Sequence, residues 1–84
     1  MFDVQTKEHS MQIEIKCFAT LSDFTPEANV LTVDDGATIN DVIDFLGINV
    51  KDVKIMFING KHESLESVLK EGDRLGLFPA VGGG

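Results

Sequence analysis

Few residues of this 84-residue chain could do covalent or metal chemistry. Cys17, His9 and His62 are too scattered along the chain to form a zinc site, and a lone cysteine has no internal disulfide partner. Cys17 alternates with Ile13 and Ile15, which predicts a buried small hydrophobe and not a sulfur nucleophile. His62, just past an Asn-Gly turn signal, reads as a solvated surface residue. Asp34-Asp35 and Asp41 with Asp44 are explained by solvation of a turn and a helix surface, so no metal is expected. What remains is the terminal segment Gly82-Gly83-Gly84, whose only reactive group is the α-carboxylate of Gly84. Glycines lack Cβ atoms, so such a tail can thread a channel too narrow for side chains and present the carboxylate inside a partner's active site. A phosphate-binding loop is excluded, because neither Lys-Ser/Thr nor a helix follows the glycines.

A tail of this kind needs a body to aim it. Met11, Ile13, Ile15 and Cys17 alternate with polar residues and predict a strand with one buried face, on whose other face Phe18 is the only aromatic. Ala19 to Asn29 reads as a loop, and Val30 to Val33 as a second strand closed by Asp34-Asp35-Gly36. Thr38 and Asp41 resemble a capping box, and Ile39, Val42, Ile43 and Leu46 follow at i, i+3, i+4 and i+7, predicting an amphipathic helix that Gly47 stops. Val53 to Ile58 is apolar on nearly both faces, as a central strand would be. Asn59-Gly60 signals a type I′ turn into a short return at Lys61 to Glu63. Ser64 to Leu69 is expected to form a single helical turn docked on the core. Arg74 to Phe78 is the last strand, with Leu75 and Leu77 facing the helix and Phe78 pointing away. Pro79 and Val81 then set the direction of the glycines. The expected fold is α+β, one domain with a sheet covered on one face by one main helix.

Composition narrows the partners. Fourteen acidic against 7 basic residues give a net charge of −7, which argues against nucleic acid and anionic membrane surfaces and favours a basic protein partner. No apolar run approaches the about 20 residues needed to span a bilayer. Met1 to Ser10 lacks the apolar core of a secretory signal and reads as a polar extension, so the expected location is the cytoplasm. The expected organisation is an extension over 1–10, a domain over 11–81 and a glycine tail over 82–84.

The segment Gly72-Asp73-Arg74-Leu75-Gly76-Leu77-Phe78-Pro79-Ala80-Val81-Gly82-Gly83-Gly84 resembles the C-terminal signature of the ubiquitin-like β-grasp sulfur carriers, most closely the small subunits of molybdopterin synthase. Phe18-Ala19 and the Asn59-Gly60 turn extend the resemblance over about Met11 to Gly84. Ala80 stands where many small subunits carry a second proline, and Gly82 adds a third glycine. The resemblance implies a carrier that is not itself an enzyme and binds no permanent cofactor. An ATP-dependent ubiquitin-activating-type adenylyltransferase would adenylate Gly84, next to Gly83, and a sulfur donor would displace AMP to leave a thiocarboxylate. The large subunit of molybdopterin synthase would be the second partner, and the acceptor a cyclic pterin precursor. The thiazole-pathway carrier of thiamine synthesis, a protein modifier joined to lysines, and an interaction module with an inert tail remain as alternatives. If the first and last strands lie side by side and parallel, as in the β-grasp, Phe18 and Phe78 emerge together on the helix-free face. With Met56 or Ile58 and with Pro79 they would form a partner-binding patch at the root of the tail. Cover from Phe2 or Val4 of the extension is the competing expectation.

Overall fold

In a computed structural model, residues 10–80 are described, so the readings of the extension over 1–9 and of Val81 to Gly84 lie outside the described residues. Five strands are present: β1 (Ser10–Cys17), β2 (Val30–Asp34), β3 (Val53–Ile58), β4 (Lys61–Glu63) and β5 (Arg74–Pro79). They form one sheet in the order β2-β1-β5-β3-β4. Alternation in β1 buries Met11, Ile13, Ile15 and Cys17 and leaves Gln12, Glu14 and Lys16 exposed. Ser10, expected to belong to the extension, already pairs with Asp34. The central pair β1 and β5 is parallel, with Ile15 opposite Leu75 and Cys17 opposite Leu77, while the other neighbours are antiparallel. This is the mixed sheet that the β-grasp resemblance implies.

The helix α1 (Ile39–Leu46) covers one face. Its start follows from side-chain chemistry. Thr38 Oγ1 accepts from the Asp41 amide at 3.2 Å, and Asp41 Oδ2 accepts from the Thr38 amide at 3.0 Å, a reciprocal capping box. Its end follows from backbone freedom, since Gly47 adopts φ 80°, where a Cβ would be strained. Ile39, Val42 and Ile43 pack with Leu75, Leu77 and Leu69 in a core of 15 buried hydrophobic residues among those described.

Ser64 to Leu69 does not form the expected helical turn. Ser64 accepts from the Ser67 amide at 3.0 Å, which closes one tight turn, but the carbonyls that would continue a helix are engaged outside the segment: Leu65 accepts from the Asn40 amide at 3.0 Å and Ser67 from the Ile39 amide at 3.1 Å, while the Leu69 amide donates to Ala37 at 2.8 Å. The segment thus satisfies the unpaired N–H groups at the start of α1. The loop after β1 is more ordered than its composition predicts, forming a 3-10 helix at Ala19–Phe24 and a tight turn at Glu27–Asn29, where Ala28 and Asn29 have positive φ. Asn59 and Gly60 both have positive φ, 54° and 84°, as the expected type I′ turn requires.

Candidate docking face and tail root

Among the described residues, no helix or loop covers the sheet face opposite α1. Phe18 and Phe78 stack there with ring centroids 4.2 Å apart and planes 4° from parallel. The parallel register brings them together: Cys17 pairs with Leu77, and the next residue on each strand points to the uncovered face. The Phe18 amide continues the ladder, donating to Leu77 O at 3.0 Å. Phe57 closes the group edge-on to Phe78 at 5.7 Å, and His62 stands edge-on to Phe57 at 5.8 Å. Gly76 lies beneath: a Cβ there would come 3.7 Å from both the Phe18 and Phe78 rings. Around the rings, Lys16 Nζ lies 5.6 Å from the Phe18 centroid and Arg74 Nε 3.6 Å from Glu14 Oε1. At one edge of the face a polar clasp fixes the β3–β4 turn: Asn59 Nδ2 donates to Asp73 Oδ1 at 2.9 Å, and Asn59 Oδ1 accepts from the Arg74 amide at 3.0 Å. The result is a shallow apolar cleft rimmed by Glu14, Lys16, Asn59 and Arg74.

Three residues expected on this patch lie elsewhere. Met56 and Ile58 pair directly with Leu77 and Leu75, share their face, and are buried in the core at 9% exposure. Pro79, next in alternation after Leu77 and paired with Val53, is buried as well. The alternate residues Ile55 and Phe57 take the places expected of Met56 and Ile58 on the bare face. Alternation in the sequence does not single out Phe57, because β3 is apolar on nearly both faces and offers no parity. The signal that finds it is register, since Phe57 pairs with Gly76, between Phe78 and Arg74 on the open face.

Cys17 is buried, and burial pushes its thiol above the ordinary range, partly offset by a hydrogen bond with Thr25. That environment suits a packing residue and disfavours a thiolate. Of the remaining predicted site residues, Val81, Gly82, Gly83 and Gly84 lie beyond the described residues. No helix among the described residues is long and apolar enough to cross a membrane.

The family model described as the ThiS family matches residues 15–84, which takes in β1 from Ile15, the bare-face aromatics and the terminal glycines. The chain belongs to the ThiS family. It is a small ubiquitin-like protein of the β-grasp sulfur-carrier kind, and members of this type are not in general catalytic by themselves. The ThiS-family chain is similar to the solved structure of small archaeal modifier protein 1 from Haloferax volcanii, at 26% identity and a TM-score of 0.64, covering 84% of this chain and 99% of that one. Two further structures share its fold. One is small archaeal modifier protein 1 from Methanosarcina acetivorans, at 23% identity, a TM-score of 0.62, and coverage of 90% and 99%. The other is a putative molybdopterin converting factor subunit 1 from Pyrococcus furiosus, at 24% identity, a TM-score of 0.61, and coverage of 84% and 99%. No curated relative matches the chain.

Proposed function

We propose that this ThiS-family protein carries sulfur on Gly84 as a thiocarboxylate and delivers it in molybdopterin synthesis. The observation that carries the reading is the half-exposed Phe18–Phe78 stack on the open face, at the end of the strand that leads into the glycines. A partner gripping those rings would hold the tail's root while Gly82 to Gly84 reach into its active site. The carboxylate of Gly84 attacks the α-phosphorus of ATP supplied by an activating adenylyltransferase, and pyrophosphate leaves. Hydrosulfide, or a sulfur donor equivalent to it, then adds at the acyl carbon and AMP leaves. The resulting sulfur is the nucleophile for the pterin precursor in the pocket of a large synthase subunit. Water then hydrolyses the bond between that sulfur and the Gly84 acyl carbon, which leaves the sulfur on the acceptor and returns the carboxylate, so ATP is consumed by the partner and no cofactor stays on this chain.

A second reading, joining of Gly84 to lysines of other proteins, draws on the similarity to small archaeal modifier protein 1. Mass spectrometry of the protein recovered from cells producing its activating partner separates the two. Replacement of one terminal oxygen by sulfur is the expected result. Branched peptides carrying the tail on lysine, with no thiocarboxylate, would overturn the carrier reading. A tail unmodified under all conditions would overturn both. Sulfur transfer to the pterin precursor with the large synthase subunit, and not to a thiazole synthase, is the outcome that fixes the pathway.

A further inference from the structure

A second surface lies on the other side of the molecule and goes beyond the carrier reading. The core face of α1 is complete with Ile39, Val42, Ile43 and the partly buried Leu46, yet the helix also carries Phe45, 71% exposed. No other large hydrophobic among the described residues is as exposed. Beside Phe45, between the helix and the end of β2, runs a cleft of about 290 Å³ with Val33, Ala37 and Val42 in its lining. That volume has room for an inserted side chain and lies at the lower limit of small-molecule sites, about 300 Å³.

The charges around the cleft point to its occupant. Asp34, Asp35 and Asp41 line it, no lysine, arginine or histidine among the described residues does, and neither of the ion pairs among those residues involves these carboxylates. An exposed aromatic ring beside a cleft whose charged lining is all carboxylate, with Asp34 and Asp35 in no ion pair among the described residues, fits an apolar side chain flanked by cations. We propose that the Phe45 cleft is a docking surface for a basic protein segment that inserts one apolar side chain beside Phe45.

Topology leaves this surface free while the tail is in use. β1 and β5 run parallel and both end at the tail root, whereas β2 runs antiparallel to β1 and brings Asp34 beside Ser10, at the opposite end of the sheet. The helix lies on the face away from Phe18 and Phe78. One partner can therefore hold the carrier through Phe45 while another works on Gly84.

The test uses the full chain, isotope-labelled, titrated with a synthetic lysine- and arginine-rich peptide bearing one central leucine. Saturable shifts at Asp35, Gly36, Ala37 and Phe45 are expected. Phe45→Ala should weaken binding about tenfold or more, the behaviour of an anchor residue. Its melting temperature should stay close to the parent's, because the ring buries little on folding. Asp35→Asn should weaken binding less and reduce its salt dependence. Binding that survives Phe45→Ala unchanged, or shifts confined to Phe18 and Phe78, would overturn the proposal. So would a full chain that fails to bind while a chain lacking Met1 to His9 succeeds, since the cleft would then belong to the protein's own N-terminal segment.

Discussion

Truncating Phe78 to alanine removes a ring that touches Phe18 face to face and Phe57 edge-on, yet leaves the core beneath intact. Aromatic pairs contribute about 0.5–1.5 kcal/mol beyond area burial, so Phe78→Ala should cost about 1–2 kcal/mol of stability. Leu77→Ala, at a site with 0% exposure one residue earlier, should cost about 2–5 kcal/mol. Partner binding should reverse the ranking, with Phe78→Ala losing about thirtyfold in affinity, as an interface anchor does. Paired melting and affinity measurements check this, and a Phe78→Ala melt as damaged as that of Leu77→Ala would remove the proposed docking face. Phe18 and Phe78 were legible in the sequence because each is a lone aromatic on an otherwise polar or glycine-bearing strand face. Phe57 was hidden in a strand with no polar face to contrast with. Cys17 offers a second check at this scale. Burial raises its folded pKa, so above about pH 8.5 the unfolded chain gives up a thiol proton that the folded chain keeps. The stability from this burial is complete below that pH and falls as pH rises toward the folded value. Subtracting the pH–stability profile of Cys17→Ala from the parent's should show this alkaline decline, and parallel profiles would contradict it.

Among the elements, α1 shows how local and distant chemistry share one task. Its period, capping box and terminal glycine were readable because each is written within a few residues of the helix. The pairing of its first amides with Leu65 and Ser67 was not, because a backbone carbonyl about 25 residues away leaves no mark in side-chain pattern. For the same reason, Ser64 to Leu69 looked like a helical turn: Leu65, Val68 and Leu69 have helical spacing, but their segment is stapled to α1 instead. The start of α1 therefore has two supports, and Thr38 belongs to both, capping Asp41 and bridging to Val68. Thr38→Ala should destabilise by about 1 kcal/mol, within the usual range for losing an N-cap. In a domain of this size that corresponds to a melting-temperature drop of roughly 4–8 °C. Asp41→Ala removes the other half of the capping box, so the double variant should fall short of the sum of the single ones. Additive losses, measured by denaturant unfolding, would mean that the two hydrogen bonds stabilise the helix start independently of each other and do not act as one capping box.

At the scale of the whole molecule, charge and shape are divided between the two faces of the sheet. The rim of the bare face carries Lys16 and Arg74 against Glu14, near balance, although the chain as a whole is at −7. Most of the acidic surplus therefore lies off the face that would bury the aromatic rings. This division lets apolar contact hold a partner without burying unpaired carboxylates, while the remaining carboxylates act at a distance. The screening length is about 30 Å at 0.01 M salt and about 10 Å at 0.1 M, so the long-range part should vanish over that interval. Association with a basic activating partner should slow markedly as salt rises through it, and dissociation should change little, because the buried contacts are aromatic. Stopped-flow measurement of both rates decides the point. An association rate flat with salt would confine the acidic surface to solubility, and a dissociation rate that climbs steeply would mean that ion pairs, not Phe18 and Phe78, hold the complex together.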